Sequence, residues 1–235
     1  MPAITLALFL AAAPSAQAPE RIMGLLALPE VFGNAPCDKF QPEEVALYAA
    51  PESGRPVGRI RTDGAWTFNP VGGCTGSPDV NVYHADTGGV ATLPSREYAY
   101  EAPAAIVLEQ RDRWFRVRLA EGSAWIRASQ RDEYFPLEKL LADGLTHLTA
   151  AWDGRLARSP GGSLRVAARP LPRRDDTSVR VLGFRRAGDT LWIEVEIFSH
   201  SPCAAREDPP VLDQGWVPAH AASRELVVWF SSRGC

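Results

Sequence analysis

The sequence predicts an all-β protein, and two observations favour this fold class. The chain of 235 residues contains 19 glycines and 20 prolines, a composition that favours short elements joined by many turns. Two stretches, 114–119 and 192–197, alternate strictly between apolar and polar residues, as half-buried strands do. The hydrophobic fraction of 46% is sufficient to build a core.

The charge balance bears on the class of partner. The chain carries 25 lysines and arginines against 28 aspartates and glutamates. This excludes the strongly cationic surface that usually drives sequence-independent binding of nucleic acid. We therefore expect no nucleic-acid partner.

The first eighteen residues, MPAITLALFLAAAPSAQA, have the outline of a secretory signal peptide, with an apolar stretch and a small-residue end. We expect cleavage after Ala18, with Ser15 as the alternative because Pro19 would follow the first bond. A buried N-terminal helix is the competing interpretation, since ten apolar residues are too few to span a bilayer. No later stretch reaches eighteen uninterrupted apolar residues. The sequence thus predicts a periplasmic or secreted protein that has no membrane contact once the signal is removed.

The back halves of two chain segments match element by element. In the first, Phe115 and Val117 face one side of the alternating strand, and in the second Ile193 and Val195 do the same. Each strand follows another, 106–109 or 179–182, across a polar turn, so each segment contains a predicted hairpin. An aromatic strand comes later in both. The chain therefore reads as two copies of one small β unit.

The domain boundaries follow from these repeats. We place one domain at 37–131, a linker with a short helical turn at 132–144, and a second domain at 145–235. The first unit carries an insertion within 61–96, and the second carries one between its last two strands, at about 198–214.

The four cysteines predict two disulfides in an exported protein. A zinc site is the rival interpretation, but no two cysteines show the close spacing that such sites use. Three pairings are open. Because each unit has one cysteine in its insertion and one near an end, we favour pairing within units, as Cys37 with Cys74 and Cys203 with Cys235.

The order of elements resembles the bacterial SH3-like family, often called SH3b. The residues that carry the resemblance are Ala49-Ala50-Pro51, the run 112–117 followed by Gly122 and Ala124-Trp125-Ile126, and in the second unit 192–195 followed by 215–218. The resemblance implies two small SH3-like β-barrels in tandem with long loop insertions. Residues that would recognise proline-rich peptides are not evident, so that activity is not implied.

In SH3-like barrels, a tryptophan at the position of Trp114 and Trp192 lines the ligand groove. The alternation places both on the polar face of their strands, with arginines beside one and glutamates beside the other. The alternative is that each ring packs under an insertion. By the same comparison, Trp125 and Trp216 lie near the other wall of the groove, with burial in the barrel as the alternative, and Pro218 and His220 extend that wall in the second unit. The expected ligand-binding residues are Trp114, Trp125, Trp192, Trp216, Pro218 and His220.

No pattern of catalytic residues stands out. The four histidines show no metal-binding spacing, and the Gly-x-Ser-x-Gly turn of serine hydrolases does not occur. We therefore expect no enzymatic activity, no cofactor and no metal.

Three functions remain open. The leading hypothesis is a non-catalytic module of the cell envelope that binds peptidoglycan or an envelope protein. The alternative is an inhibitor or stress-protective partner of an envelope hydrolase, acting through a loop such as 61–96 or 198–214. The third is a hydrolase without a recognisable motif.

Overall fold

A computed structural model describes residues 20–32, 44–63, 67–69, 73–75, 79–142, 144–167, 177–204 and 209–234. Within these residues the fold is all-β and every strand pairing is antiparallel. The prediction of an all-β protein is confirmed. The described elements are β1 (Gly24–Ala27), α1 (Pro29–Phe32), β2 (Val45–Leu47), β3 (Gly58–Asp63), β4 (Thr67–Asn69), β5 (Gly73–Thr75), β6 (Asp79–His84), β7 (Val90–Thr92), β8 (Ser95–Ala99), β9 (Ala102–Arg111), β10 (Trp114–Arg118), β11 (Ser123–Arg127), β12 (Glu133–Pro136), α2 (Leu137–Ala142), β13 (Leu145–Leu148), β14 (Arg155–Ala157), β15 (Leu164–Val166), β16 (Thr177–Ala187), β17 (Thr190–Phe198), β18 (Val211–Pro218) and β19 (Val228–Ser231).

The first sheet has six strands and is built around the N-terminal strand. Its order is β11-β10-β9-β1-β12, and β8 also pairs with β9. All four residues of β1 are buried, as are five consecutive residues of β9. Such continuous burial means that both faces of these two strands are covered.

The two faces of β1 contribute to different cores. Leu25 packs into a cluster that includes Ile106, α2 and the C-terminal part of the chain, whereas Leu26 packs into a cluster with Val107 and the second sheet. Both leucine side chains have no exposed surface. Because successive residues of a strand point to opposite faces, a four-residue strand joins the two cores.

The second sheet has four strands in the order β2-β3-β6-β7. Leu47, Ile60 and Val82 from this sheet pack against the inward residues of β10, Phe115 and Val117. These two side chains face inward as the alternation predicts. The second sheet therefore covers one face of the first.

The third sheet has seven strands, in the order β15-β14-β18-β17-β16-β13-β19. Ile193, Val195 and Ile197 on β17 have no exposed surface, which confirms the predicted inward face. Trp152 is also buried, and its indole Nε1 donates a hydrogen bond to the carbonyl of Arg155 at 2.8 Å. These residues share a core with one face of the first sheet.

The segment expected to be a linker contains regular structure. β12 pairs along its whole length with β1, and α2 contributes Leu137, Leu140 and Leu141 to the core shared by the first and third sheets. The short helical turn predicted in 132–144 is present as α2. The segment packs as part of the protein, because its apolar side chains are buried by both halves.

The insertion placed at 61–96 also differs from a loop. It contributes to β3 and contains β6 and β7, so much of it forms the second sheet. Each sheet is an open series of strands, and the described residues contain no closed barrel. The edge of the first sheet at β11 meets the edge of the second sheet at β2. There the backbone N–H groups of Tyr48 and Trp125 each donate to the other residue's carbonyl at 2.8 Å.

The predicted signal peptide at residues 1–18 lies outside the described residues. Among the helices that the structure describes, none is long and apolar enough to cross a membrane.

Candidate functional site

The outward face of β10 and β11 brings Trp114 and Trp125 onto one surface. Arg116 lies directly opposite Trp125, and Trp114 lies opposite Arg127. Because alternate residues share a face, both tryptophans point away from the core formed by Phe115 and Ile126. Two residues expected on opposite walls of a groove thus share one face of the hairpin.

The two rings differ in exposure, and this gives them different roles. Trp125 is only 5% exposed, and the guanidinium of Arg111 lies over its ring at 5.0 Å. Trp114 is half-buried, and its ring meets that of Tyr48 edge-on, with centroids 5.2 Å apart. The Trp125 ring is therefore almost fully covered, while part of the Trp114 ring is open to solvent.

Tyr48 is a residue of this surface that the sequence reasoning did not single out. It follows the buried Leu47 at the end of β2, and its backbone is fixed by the bridge to Trp125. An edge-to-face aromatic pair is more favourable than the buried area alone predicts. An aromatic residue in the polar phase next to a strand was the available sequence signal, but its pairing with β11 is long-range.

Charged side chains hold the rest of this surface in place. Arg116 forms ion pairs with Glu20 at 2.5 Å and Glu109 at 3.2 Å, and it donates a further hydrogen bond to Ser123 at 3.1 Å. Glu109 also binds Arg111 at 2.7 Å. This network spans β9, β10 and β11 and restricts the side chains beside Trp114.

The third sheet places its candidate residues differently. Trp192 lies opposite Arg185 on β16 and Pro218 on β18, and it is 9% exposed. Trp216 lies opposite Glu194 on the same face, and both Trp216 and Pro218 are half-buried. Most of the Trp192 ring is therefore inaccessible, and Trp216 is more open than Trp192.

His220 contacts the segment that precedes β1. Its Nε2 lies 3.0 Å from the carbonyl oxygen of Ile22, and it lines a small cavity of about 60 Å³ together with Leu137, Glu138 and Arg186. Burial lowers the pKa of His220 below its usual value because desolvation disfavours the charged imidazolium. This position fits a contact between the halves of the protein rather than a wall of a groove beside Trp192.

A polar network lies on the outer face of the second sheet. The carboxylate of Asp63 accepts hydrogen bonds from Tyr83, from Asn81 at 3.0 Å and from Arg61 at 2.7 Å. These donors lower the pKa of Asp63 to about 2, with Tyr83 making the largest contribution. Tyr83 also lines an open cavity of about 540 Å³ with Glu44 and other residues.

The predicted disulfides fall largely outside the described residues. Cys37 and Cys235 lie outside the described residues. For Cys74, the structure describes only the backbone, which belongs to β5. No cysteine in the described part of the chain is free, and Cys203 has an interaction partner. The pairing within units stays a prediction.

No group of three or more His, Cys, Asp or Glu side chains among the described residues is arranged to hold a metal ion. Comparison with protein-family models, curated proteins and solved structures finds no match to this chain.

Proposed function

We propose that this chain is a non-catalytic binding protein of the cell envelope that recognises peptidoglycan, or alternatively an envelope protein, through the surface around Trp114. The observation that carries the proposal is the setting of this ring. Trp114 is half-buried, contacted edge-on by Tyr48, and flanked across the strands by Arg111 on β9 and Arg127 on β11.

This setting suits a ligand that has both apolar faces and negative charge. A tryptophan ring supplies a large rigid contact area with one hydrogen-bond donor, and Arg127 supplies positive charge beside it, whereas Arg111 is paired with Glu109. Peptidoglycan carries both sugar rings and peptide carboxylates. Arg127 forms no ion pair with any described residue, so its charge is available to such a group.

The bridge between Tyr48 and Trp125 supports the finer proposal that the first unit follows an SH3-like plan. It joins β11 of the first sheet to the end of β2 in the second. In this proposal the exposed ring beside the bridge occupies the position of a groove residue. Export to the periplasm or beyond is part of the same proposal and rests on the sequence of residues 1–18.

The acidic surroundings of Trp216 support a different partner for the third sheet. Its cross-strand neighbour is Glu194, where Trp114 has arginines. A carboxylate-bearing ligand is therefore better matched by the first sheet. The inhibitor alternative loses one of its candidate loops, because much of 61–96 is paired within the second sheet.

Sedimentation with isolated peptidoglycan sacculi tests the proposal. The mature protein should pellet with sacculi, and Trp114→Leu should weaken its apparent affinity by about tenfold or more, as removal of a central aromatic contact usually does. Trp216→Leu is the matched control because it removes a half-buried tryptophan from the third sheet. Circular dichroism should show both variants folded.

Equal pelleting of the wild type and Trp114→Leu would refute the assignment of this surface. If the wild type does not pellet, peptidoglycan is not the ligand. The envelope-protein form of the proposal then requires that crosslinking to a partner in envelope extracts is lost in Trp114→Leu and kept in Trp216→Leu.

A further inference from the structure

A cavity of about 310 Å³ lies where the first sheet meets the C-terminal half of the chain. Three arginines line it: Arg96 on β8, Arg118 at the end of β10, and Arg224 in the turn before β19. The backbone of 149–151 forms part of the wall. The volume is at the lower end of the range for small-molecule sites.

The three guanidinium groups are held without carboxylate partners. Arg118 donates from Nη2 to the backbone carbonyl of Glu20 at 3.1 Å, and Arg96 lies over the ring of Trp229 at 4.6 Å. None of the three forms an ion pair with a carboxylate in the described part of the chain. Arg96 and Arg118 are thus positioned by contacts that do not neutralise their charge.

The two carboxylates at the cavity are engaged elsewhere. Glu20 forms its ion pair with Arg116, which does not line the cavity. Glu225 accepts a hydrogen bond from the hydroxyl of Ser223 at 2.9 Å. Neither side chain pairs with an arginine of the cavity, so the arginines remain the dominant charges facing it.

The surroundings of Arg96 disfavour its charged form, and the backbone of Arg224 is strained. Desolvation, and secondarily the charge of Arg118, lower the pKa of Arg96, although the residue keeps part of its surface exposed. Arg224 adopts a φ of 70°, a conformation that non-glycine residues adopt rarely. Like charges brought together in this way are stabilised when an anion binds between them.

We propose that this cavity is a binding site for an oxyanion group, the carboxylate or phosphate of a small ligand, held by Arg96, Arg118 and Arg224. Guanidinium groups bind such oxyanions through paired, charge-assisted hydrogen bonds. The proposal does not depend on binding at Trp114, because Arg96, Arg118 and Arg224 are not among the residues proposed to bind a ligand there.

Isothermal titration at low ionic strength tests the site with three probes: inorganic phosphate, N-acetyl-Ala-Ala with a free carboxylate, and the same dipeptide as its C-terminal amide. The wild type should bind phosphate or the free carboxylate saturably, and the amide should not bind. Arg224→Asn removes one charge while keeping a residue that tolerates positive φ, and Arg96→Gln removes another. Each variant should weaken binding by about tenfold.

Arg158→Gln is the matched control, because Arg158 is exposed and does not line the cavity. It should bind the probes like the wild type. Binding of phosphate alone or of the carboxylate alone supports the site and identifies the source of the anion. The proposal is overturned if the wild type binds neither probe, if the amide binds equally, or if Arg224→Asn and Arg96→Gln both bind like Arg158→Gln.

Discussion

Replacing either leucine of β1 with alanine should destabilise the whole protein. Leu25 and Leu26 are both fully buried, one in the core shared with the third sheet and the other in the core shared with the second. A Leu→Ala change at a fully buried site costs about 3 kcal/mol, since it removes buried apolar surface and leaves a cavity. For a chain of this size, that corresponds to a fall in Tm of about 6 to 12 °C.

Urea unfolding followed by circular dichroism and by tryptophan fluorescence measures this effect. Met23→Ala is the control on the same segment, because Met23 is 37% exposed, and it should change the free energy of unfolding by less than about 1 kcal/mol. In each variant, the unfolding transitions followed by circular dichroism and by fluorescence should have the same urea midpoint. If Leu25→Ala lowers the free energy of unfolding no more than Met23→Ala does, β1 does not join the two cores.

Three other predictions concern stability. Gly24→Ala should weaken the pairing of β1 with β12, because a Cβ at this position would lie 2.3 Å from the carbonyl oxygen of Phe135; a Tm equal to the wild type would contradict this close approach. The pKa of His220 is lowered below 6.5 in the folded state, so the unfolded chain binds more protons as pH falls through that value and stability should decrease. Urea midpoints at pH 7.5 and 5.5 should show a smaller decrease in His220→Gln, and an identical decrease would rule out His220 as the source. Reduction under native conditions should lower the Tm. Four free thiols before reduction, together with a Tm that reduction does not change, would refute the predicted disulfides.

Local periodicity predicted the hairpins of both halves. Alternation of period two identified β10 and β17 and placed Phe115 and Ile193 on the inward face. This succeeded because one face of these strands meets a core and the other does not, so the pattern depends on residues close in sequence.

The organising role of β1 could not be predicted in the same way. A strand of four residues is too short to show a period, and because β1 is buried on both faces, its residues do not alternate between apolar and polar. The partners of β1 lie far along the chain, at 105–107 and 133–136. Sequence reasoning therefore treated the second of these segments as a linker.

Only part of the tryptophan surface could be predicted, again because long-range contacts decide the rest. Alternation put Trp114 and Trp192 on outward faces, but exposure depends on which distant residues cover those faces. Trp192 is almost fully buried, while Trp114 is half-buried beside Tyr48. The arginine cavity involves three separate chain segments, and no local pattern brings them together.

Fluorine NMR of protein labelled with 5-fluorotryptophan tests the central claim, that Trp114 contacts the envelope ligand, most directly. Single Trp→Phe variants assign the resonances, and soluble peptidoglycan fragments are then added. We expect the Trp114 resonance to shift or broaden saturably, while that of the buried Trp152 does not move. Shifts confined to tryptophans other than Trp114, with Trp114 unchanged at saturating ligand, would contradict the account.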